Sequence, residues 1–239
     1  MQVHVFENAK QVGQAAATLF AAQVIRKPDS VLGLATGSSP IDCYQQLIEW
    51  HKAGILDFSK CVSYNLDEYC NLPVEHECSY HAFMNEQLFN HINMKETHVP
   101  NGNAEDPQAE CARYDAAIQA AGGIDMQLLG IGRNGHIGFN EPSDHFVYGT
   151  QIVNLTESTI QANRRFFESE NDVPRQAISL GIGGIMAAKE IVLIAMGADK
   201  AQAIHDTVYG EVNPQVQASI LRTHPHVTIL VDKAAASLL

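Results

Sequence analysis

The run EIVLIAM, residues 190–196, is apolar at every position after the first. A strand with no polar face is stable only in a sheet that is covered on both sides, the usual state of a parallel sheet. Short apolar runs recur along the chain: VHVF (3–6), VLGLAT (31–36), CVSYNL (61–66), IDMQLLGI (124–131), AISLGI (177–182) and HVTILV (226–231). Helical patterns separate them. Residues 8–26 read as an amphipathic helix with Asn8 as N-cap, and Pro40 opens a second. Residues 79–91, 107–121 and 198–209 read as three more, with a small-residue helical turn between 182 and 190. This alternation predicts an α/β fold with a mostly parallel sheet and helices on both faces. No repeat, low-complexity tract or linker interrupts residues 1–239, so one domain is expected. Function in such a sheet sits on loops at the carboxyl ends of strands.

The chain carries 15 Lys and Arg against 27 Asp and Glu, a net charge of −12. That balance argues against nucleic acid and anionic membrane surfaces as partners, because both require a basic footprint. No apolar run is long enough to span a bilayer. The start, MQVHVFENAK, lacks the basic and apolar regions of a signal peptide. Five scattered cysteines (Cys43, Cys61, Cys70, Cys78, Cys111) read as small hydrophobes in a reducing, cytoplasmic setting.

Three loops concentrate chemistry. GLATGSSP (33–40) passes from a strand through a glycine turn into a helix. The hydroxyls of Thr36, Ser38 and Ser39, the flexible Gly37 and the free N–H groups of the helix start suit a phosphate. The same stretch also reads as an ordinary βα turn with Ser39 as N-cap. In YNLDEY (64–69), Asp67 and Glu68 follow a strand and point in different directions, so one can face a cleft while the other bonds the scaffold. A desolvated carboxylate there can act as a general base, although loop acids are more often simply solvated.

GIGRNGHIGFNEP (130–142) literally spells the dinucleotide fingerprint G-x-G-x-x-G at its start. The context argues against a dinucleotide, since Gly135, Gly138 and Pro142 disfavour the helix that fingerprint must open. His136 is instead the natural proton shuttle near neutral pH, and Glu141, five residues on, is placed to polarise or orient it. A glycine-rich loop without function is the other reading, which the density of polar groups disfavours. HECSYH (76–81) is one residue too long for a zincin motif, and His224 and His226 bracket a proline. Both sets read as surface or structural histidines, and no metal is expected. Cations are scarce. Arg164, Arg165 and Lys200 are the ones placed to meet a phosphate, and each alone also reads as surface charge.

Together GLATGSSP, YNLDEY, GIGRNGHIGFNEP, NRRFF (163–167) and MGADKA (196–201) resemble, in order and spacing, the isomerising glucosamine-6-phosphate deaminases. The resemblance spans about Val31 to Val231. It implies a Rossmann-like fold, no cofactor, a small sugar phosphate as partner, and conversion of glucosamine 6-phosphate to fructose 6-phosphate with release of ammonia. By the same resemblance, Asp67 is the base that moves a proton from C2 to C1. His136, held by Glu141, assists ring opening, and Thr36, Gly37, Ser38 and Ser39 with Arg165 and Lys200 bind the phosphate. Residues 145–175 would form a lid. Members of the family occur as monomers and as homo-oligomers, so a homo-oligomer is compatible with it.

Two positions depart from some members. Asn134 stands where others carry Asp, so it orients rather than titrates. Gln151 and Val153 stand where members activated by N-acetylglucosamine 6-phosphate carry a basic pair, so no such activation is expected. A 6-phosphogluconolactonase or a galactosamine-6-phosphate deaminase on a similar scaffold is the enzymatic alternative. A non-catalytic sugar-phosphate sensor is the other class.

Overall fold

A computed structural model of the chain describes residues 1–164, 167, 169 and 172–239. Its strands are β1 (Gln2–Phe6), β2 (Val31–Leu34), β3 (Val62–Asn65), β4 (Asp67–Tyr69), β5 (Glu96–His98), β6 (Met126–Leu129), β7 (Gln151–Asn154), β8 (Gln176–Ser179), β9 (Glu190–Ala195) and β10 (Val227–Asp232). The helices are α1 (Ala9–Arg26), α2 (Ile41–Lys52), α3 (Tyr80–Gln87), α4 (Pro107–Ala120), α5 (Glu157–Asn163), α6 (Ile182–Met186) and α7 (Ala201–Tyr209).

Seven strands form one sheet in the order β1-β10-β9-β6-β2-β3-β5, with every neighbouring pair parallel. Every residue of β2 and β6 is buried, as expected for strands covered on both faces. Helix α1 buries Val12, Ala16, Ala17 and Phe20, which the 3.6-residue period places on one side. Its start is set by Asn8, whose side chain accepts from the Gln11 N–H at 3.1 Å, and Asp106 and Ser79 cap α4 and α3 in the same way.

The chain runs outward from β2 to β3 and β5 on one side, and to β6, β9 and β10 on the other. The order reverses between β2 and β6, and a crevice opens at such a switch point outside the carboxyl ends of the strands.

A second sheet, β4-β8-β7, is antiparallel. Leu66 joins the two. Its N–H donates to the Leu34 carbonyl at 3.1 Å, and its carbonyl accepts from the Leu180 N–H at 2.7 Å. The run AISLGI therefore lies outside the large sheet, opposite β4 and β7. Strands β4, β5 and β7 have three or four residues each, too short to show a period. The helix expected over 79–91 ends at Gln87 and continues as a 3₁₀ turn, Phe89–His91, because Leu88 leaves helical angles at φ −147°. The segment 198–209 likewise begins as a 3₁₀ turn, Ala198–Lys200. Among the described residues no helix is long and apolar enough to cross a membrane.

At the amino ends of the strands, Asp125 is 3% exposed and accepts from Lys27 Nζ at 2.5 Å, Lys189 Nζ at 2.6 Å and the Val31 N–H at 2.8 Å. Replacing it strands a buried N–H and releases both ammonium groups. Asp125→Ala is expected to lower stability by about 2–4 kcal/mol; a urea midpoint within error of the parent would contradict the clamp.

Candidate active site

Four adjacent strands, β9, β6, β2 and β3, deliver the candidate residues to the same end of the sheet. The turn Thr36–Ser39 leaves β2, Asp67 follows β3, the loop 130–142 leaves β6, and Lys200 follows β9. Contacts tie these loops together. A β-carbon added to Gly130 would lie 3.9 Å from Ser39 Oγ, and one on Gly138 would lie 3.7 Å from Asp67 Oδ2. Arg133 Nε donates to Asp199 Oδ2 at 2.8 Å, linking the β6 loop to the turn that holds Lys200.

Asp67 and Glu68 are both buried, at 6% and 4% exposure, but their surroundings differ. Glu68 accepts three backbone N–H bonds, from Tyr69 at 2.8 Å, Tyr80 at 2.9 Å and His81 at 2.9 Å. It anchors the first turn of α3 to β4. Asp67 receives no hydrogen bond from any described residue. Burial, and then the charge of Glu68, push its carboxyl up to about 8. A carboxyl poised near neutral pH in a dry position is suited to taking a proton from carbon.

The β6 loop folds as consecutive turns, with no helix between 130 and 142. Gly135 and Gly138 sit at φ 81° and 57°, where other residues are strained. Gly132 is required for another reason: a β-carbon there would meet the His136 ring at 2.4 Å. The apparent fingerprint thus shapes a loop and seats a histidine.

The loop presents His136 to Glu141. Glu141 Oε2 accepts from Asn134 Nδ2 at 2.7 Å and lies 3.3 Å from His136 Nδ1, off the line of a hydrogen bond. Oε1 takes the hydroxyls of Thr156, at 3.2 Å, and Thr159. Burial alone would raise this carboxyl. The contacts with His136, then Thr159 and Asn134, outweigh it and hold Glu141 at about 2.

Thr36, Gly37 and Ser39 are half-buried and Ser38 is exposed. Ser39 does not cap α2: Pro40 occupies the cap position, and no side chain bonds there. The hydroxyls of Thr36, Ser38 and Ser39 make no hydrogen bond among the described residues, and Gly37 turns the chain at φ 90°. Lys200 is half-buried, and its charge helps lower the Asp199 carboxyl, after Arg133. Arg164 is exposed at the end of α5, and Arg165 lies outside the described residues, as does part of the segment read as a lid. His224 is buried and its Nε2 lies 2.8 Å from the Ala188 carbonyl, a structural role. None of the five cysteines forms a disulfide among the described residues, and all but Cys78 are buried.

Sequence reasoning missed the residues that brace the loop. Ser179 Oγ accepts from the Phe139 N–H at 3.0 Å. The Asn140 amide donates to the carbonyls of Ile137 and Leu180, both at 2.9 Å. The visible signal for Thr156 was helix capping, since its hydroxyl caps α5.

A family model described as glucosamine-6-phosphate isomerases/6-phosphogluconolactonase matches residues 6–230. The glucosamine-6-phosphate deaminase of Halothermothrix orenii is 55% identical over 241 residues, covering 100% of both chains. That of Clostridioides difficile is 52% identical, covering 99% of this chain and 96% of its own. Among solved structures, a monomeric glucosamine-6-phosphate deaminase superposes with a TM-score of 0.97 at 44% identity, covering 100% of both chains. A 6-phosphogluconolactonase from Trypanosoma brucei, at TM-score 0.73 and 19% identity over 100% of this chain and 98% of its own, shares the fold.

The glycines are expected to differ in tolerance. Gly132→Ala should displace the His136 ring and cost about 1–3 kcal/mol, whereas Gly130→Ala, with only ordinary contact to Ser39, should be nearly neutral. Chemical denaturation and the imidazole NMR signals of His136 check this. Equal behaviour of the two variants would contradict it.

Proposed function

The chain belongs to the glucosamine-6-phosphate isomerase/6-phosphogluconolactonase family, and from that premise we propose that it converts glucosamine 6-phosphate to fructose 6-phosphate and ammonia. The observation that carries this is Asp67: a buried carboxylate, pushed up to about 8, beside the loop that holds His136. A lactone hydrolase needs no base at a sugar C2. The relatives above 50% identity are named as deaminases, whereas the lactonase likeness at 19% identity concerns the fold.

The phosphate is held by the hydroxyls of Thr36, Ser38 and Ser39, the turn at Gly37, and the cations Lys200 and Arg165. His136 gives a proton to the ring oxygen and takes one from the C1 hydroxyl, with Glu141 and Asn134 fixing its orientation. The open-chain amino aldehyde has an acidified C2–H. Asp67 removes that proton and returns it to C1, leaving a ketimine that water hydrolyses to ketone and ammonia. No cofactor is needed for these steps. The whole chain acts as one α/β domain in the cytoplasm of its cell. The monomeric solved relative supports a monomer over the homo-oligomer that the family also allows.

Asp67→Asn is expected to lower ammonia release by about a thousandfold with sugar-phosphate binding retained. Turnover at the parent rate, or lactone hydrolysis without ammonia release, would overturn the reading. The parent kcat/KM should rise with pH through about 8. Stability follows the opposite course. The carboxyl ionises near 3.8 when free and near 8 in the fold, so the folded state binds the extra proton between them and loses stability as pH climbs through that window. Asp67→Asn should therefore be the more stable protein at pH 9, by on the order of a few kcal/mol.

Gln151 and Val153 line, with Glu141, a pocket of about 300 Å³, and neither Lys nor Arg is among its described lining residues. N-acetylglucosamine 6-phosphate is accordingly expected to leave the apparent Michaelis constant unchanged; a fall on its addition would contradict this.

A further inference from the structure

The carboxylate of Glu141 is divided between two jobs. Oε2 faces Asn134 and His136, and Oε1 faces the hydroxyls of Thr156 and Thr159. The terminal torsion of a glutamate is broad and nearly two-fold, so packing alone does not decide which oxygen meets the imidazole. The pairing with His136 at 3.3 Å lies off hydrogen-bond geometry and so does not fix the carboxylate by itself. Asn134 Nδ2 holds Oε2 at 2.7 Å, and the threonine pair holds the other oxygen, so that the plane of the carboxylate is set from both sides. Thr156 is the N-cap of α5, and its hydroxyl takes the Thr159 N–H at 3.4 Å. Residues three apart share a helix face, and the two hydroxyls stand 3.1 Å apart over the same oxygen. Thr159 is 7% exposed, so water does not replace it freely.

We propose that Thr159, with Thr156 beside it, is a positioning residue that sets the plane of Glu141 and thereby aims His136 at the sugar ring. The inference deepens the deaminase reading and rests on it. A threonine hydroxyl can give its single proton to Oε1 while its oxygen accepts from elsewhere, and valine keeps the shape without that proton. The ring-opening step should suffer and phosphate binding should not.

The test compares Thr159→Val, Thr159→Ser and Glu141→Gln with the parent. Thr159→Val is expected to lower kcat about tenfold to a hundredfold, the range typical of residues that orient a functional group, with KM changed less than twofold. Thr159→Ser should recover most of the rate. The effects of Thr159→Val and Glu141→Gln should be far from additive, because both act on one unit. The ¹⁵N signals of the His136 imidazole should shift in ligand-free Thr159→Val, a readout that needs no turnover. If Thr159→Val does not fold, Thr159→Ala removes the same proton with less bulk and is read in the same way. Parent-like kcat together with unmoved imidazole signals would overturn the proposal. So would a Thr159→Ser variant as impaired as Thr159→Val. A parent enzyme that releases no ammonia would overturn the deaminase reading instead, while the imidazole signals would still report on Thr159.

Discussion

One residue, Leu66, belongs to two sheets at once, and the site depends on that crossing. Its N–H completes the ladder between β2 and β3, and its carbonyl receives the chain just after β8. Both backbone groups are buried and both must be paired, so the place where the chain changes sheets is fixed. Asp67 is the next residue and opens β4 opposite Ser179. Its side chain is thereby set against the loop from β6. A carboxylate on a freely placed loop would turn to water; this one is denied that choice.

The resulting electrostatics separate three carboxyls in a net acidic chain. Glu68 is also raised by burial, but three backbone N–H groups oppose that rise, and it holds α3. Glu141 is satisfied by side chains and stays ionised. Asp67 is buried next to Glu68 without a hydrogen-bond partner among the described residues, and its carboxyl rises. Environment, not residue type, divides scaffold, orienter and proton acceptor. The same economy appears in the glycines: Gly132 gives space to the His136 ring, whereas Gly135 and Gly138 supply backbone angles.

Much of this was legible in the sequence, for physical reasons. Fully apolar runs such as Ile191–Ala195 require a covered parallel sheet, and that sheet is present. Asp67, His136 and Glu141 lie in loops after apolar strands, the functional end of such a sheet. That signal alone was weak for Asp67, and the three roles came from the resemblance to the deaminases. The rejection of the dinucleotide fingerprint followed from Pro142 and the glycines, and no helix forms there. The small sheet was not legible. Strand β4 has three residues, two of them acidic, and its partner β8 lies far along the chain, so no local period announces the pairing. AISLGI looked like any other buried strand, because apolarity does not say which sheet a strand joins. Thr156 and Thr159 were hidden in a polar segment, since only the folded chain brings that segment against Glu141.

The central claim is that Asp67 is a carboxyl held near neutrality by its burial. Carbon-13 NMR of the aspartate carboxyl carbons, with the Asp67 signal assigned by its absence in Asp67→Asn, measures this directly. The expected result is a single titration of Asp67 near pH 8. Titration near 3.8, the value of a free aspartate, would contradict it and would leave the site without its proposed base.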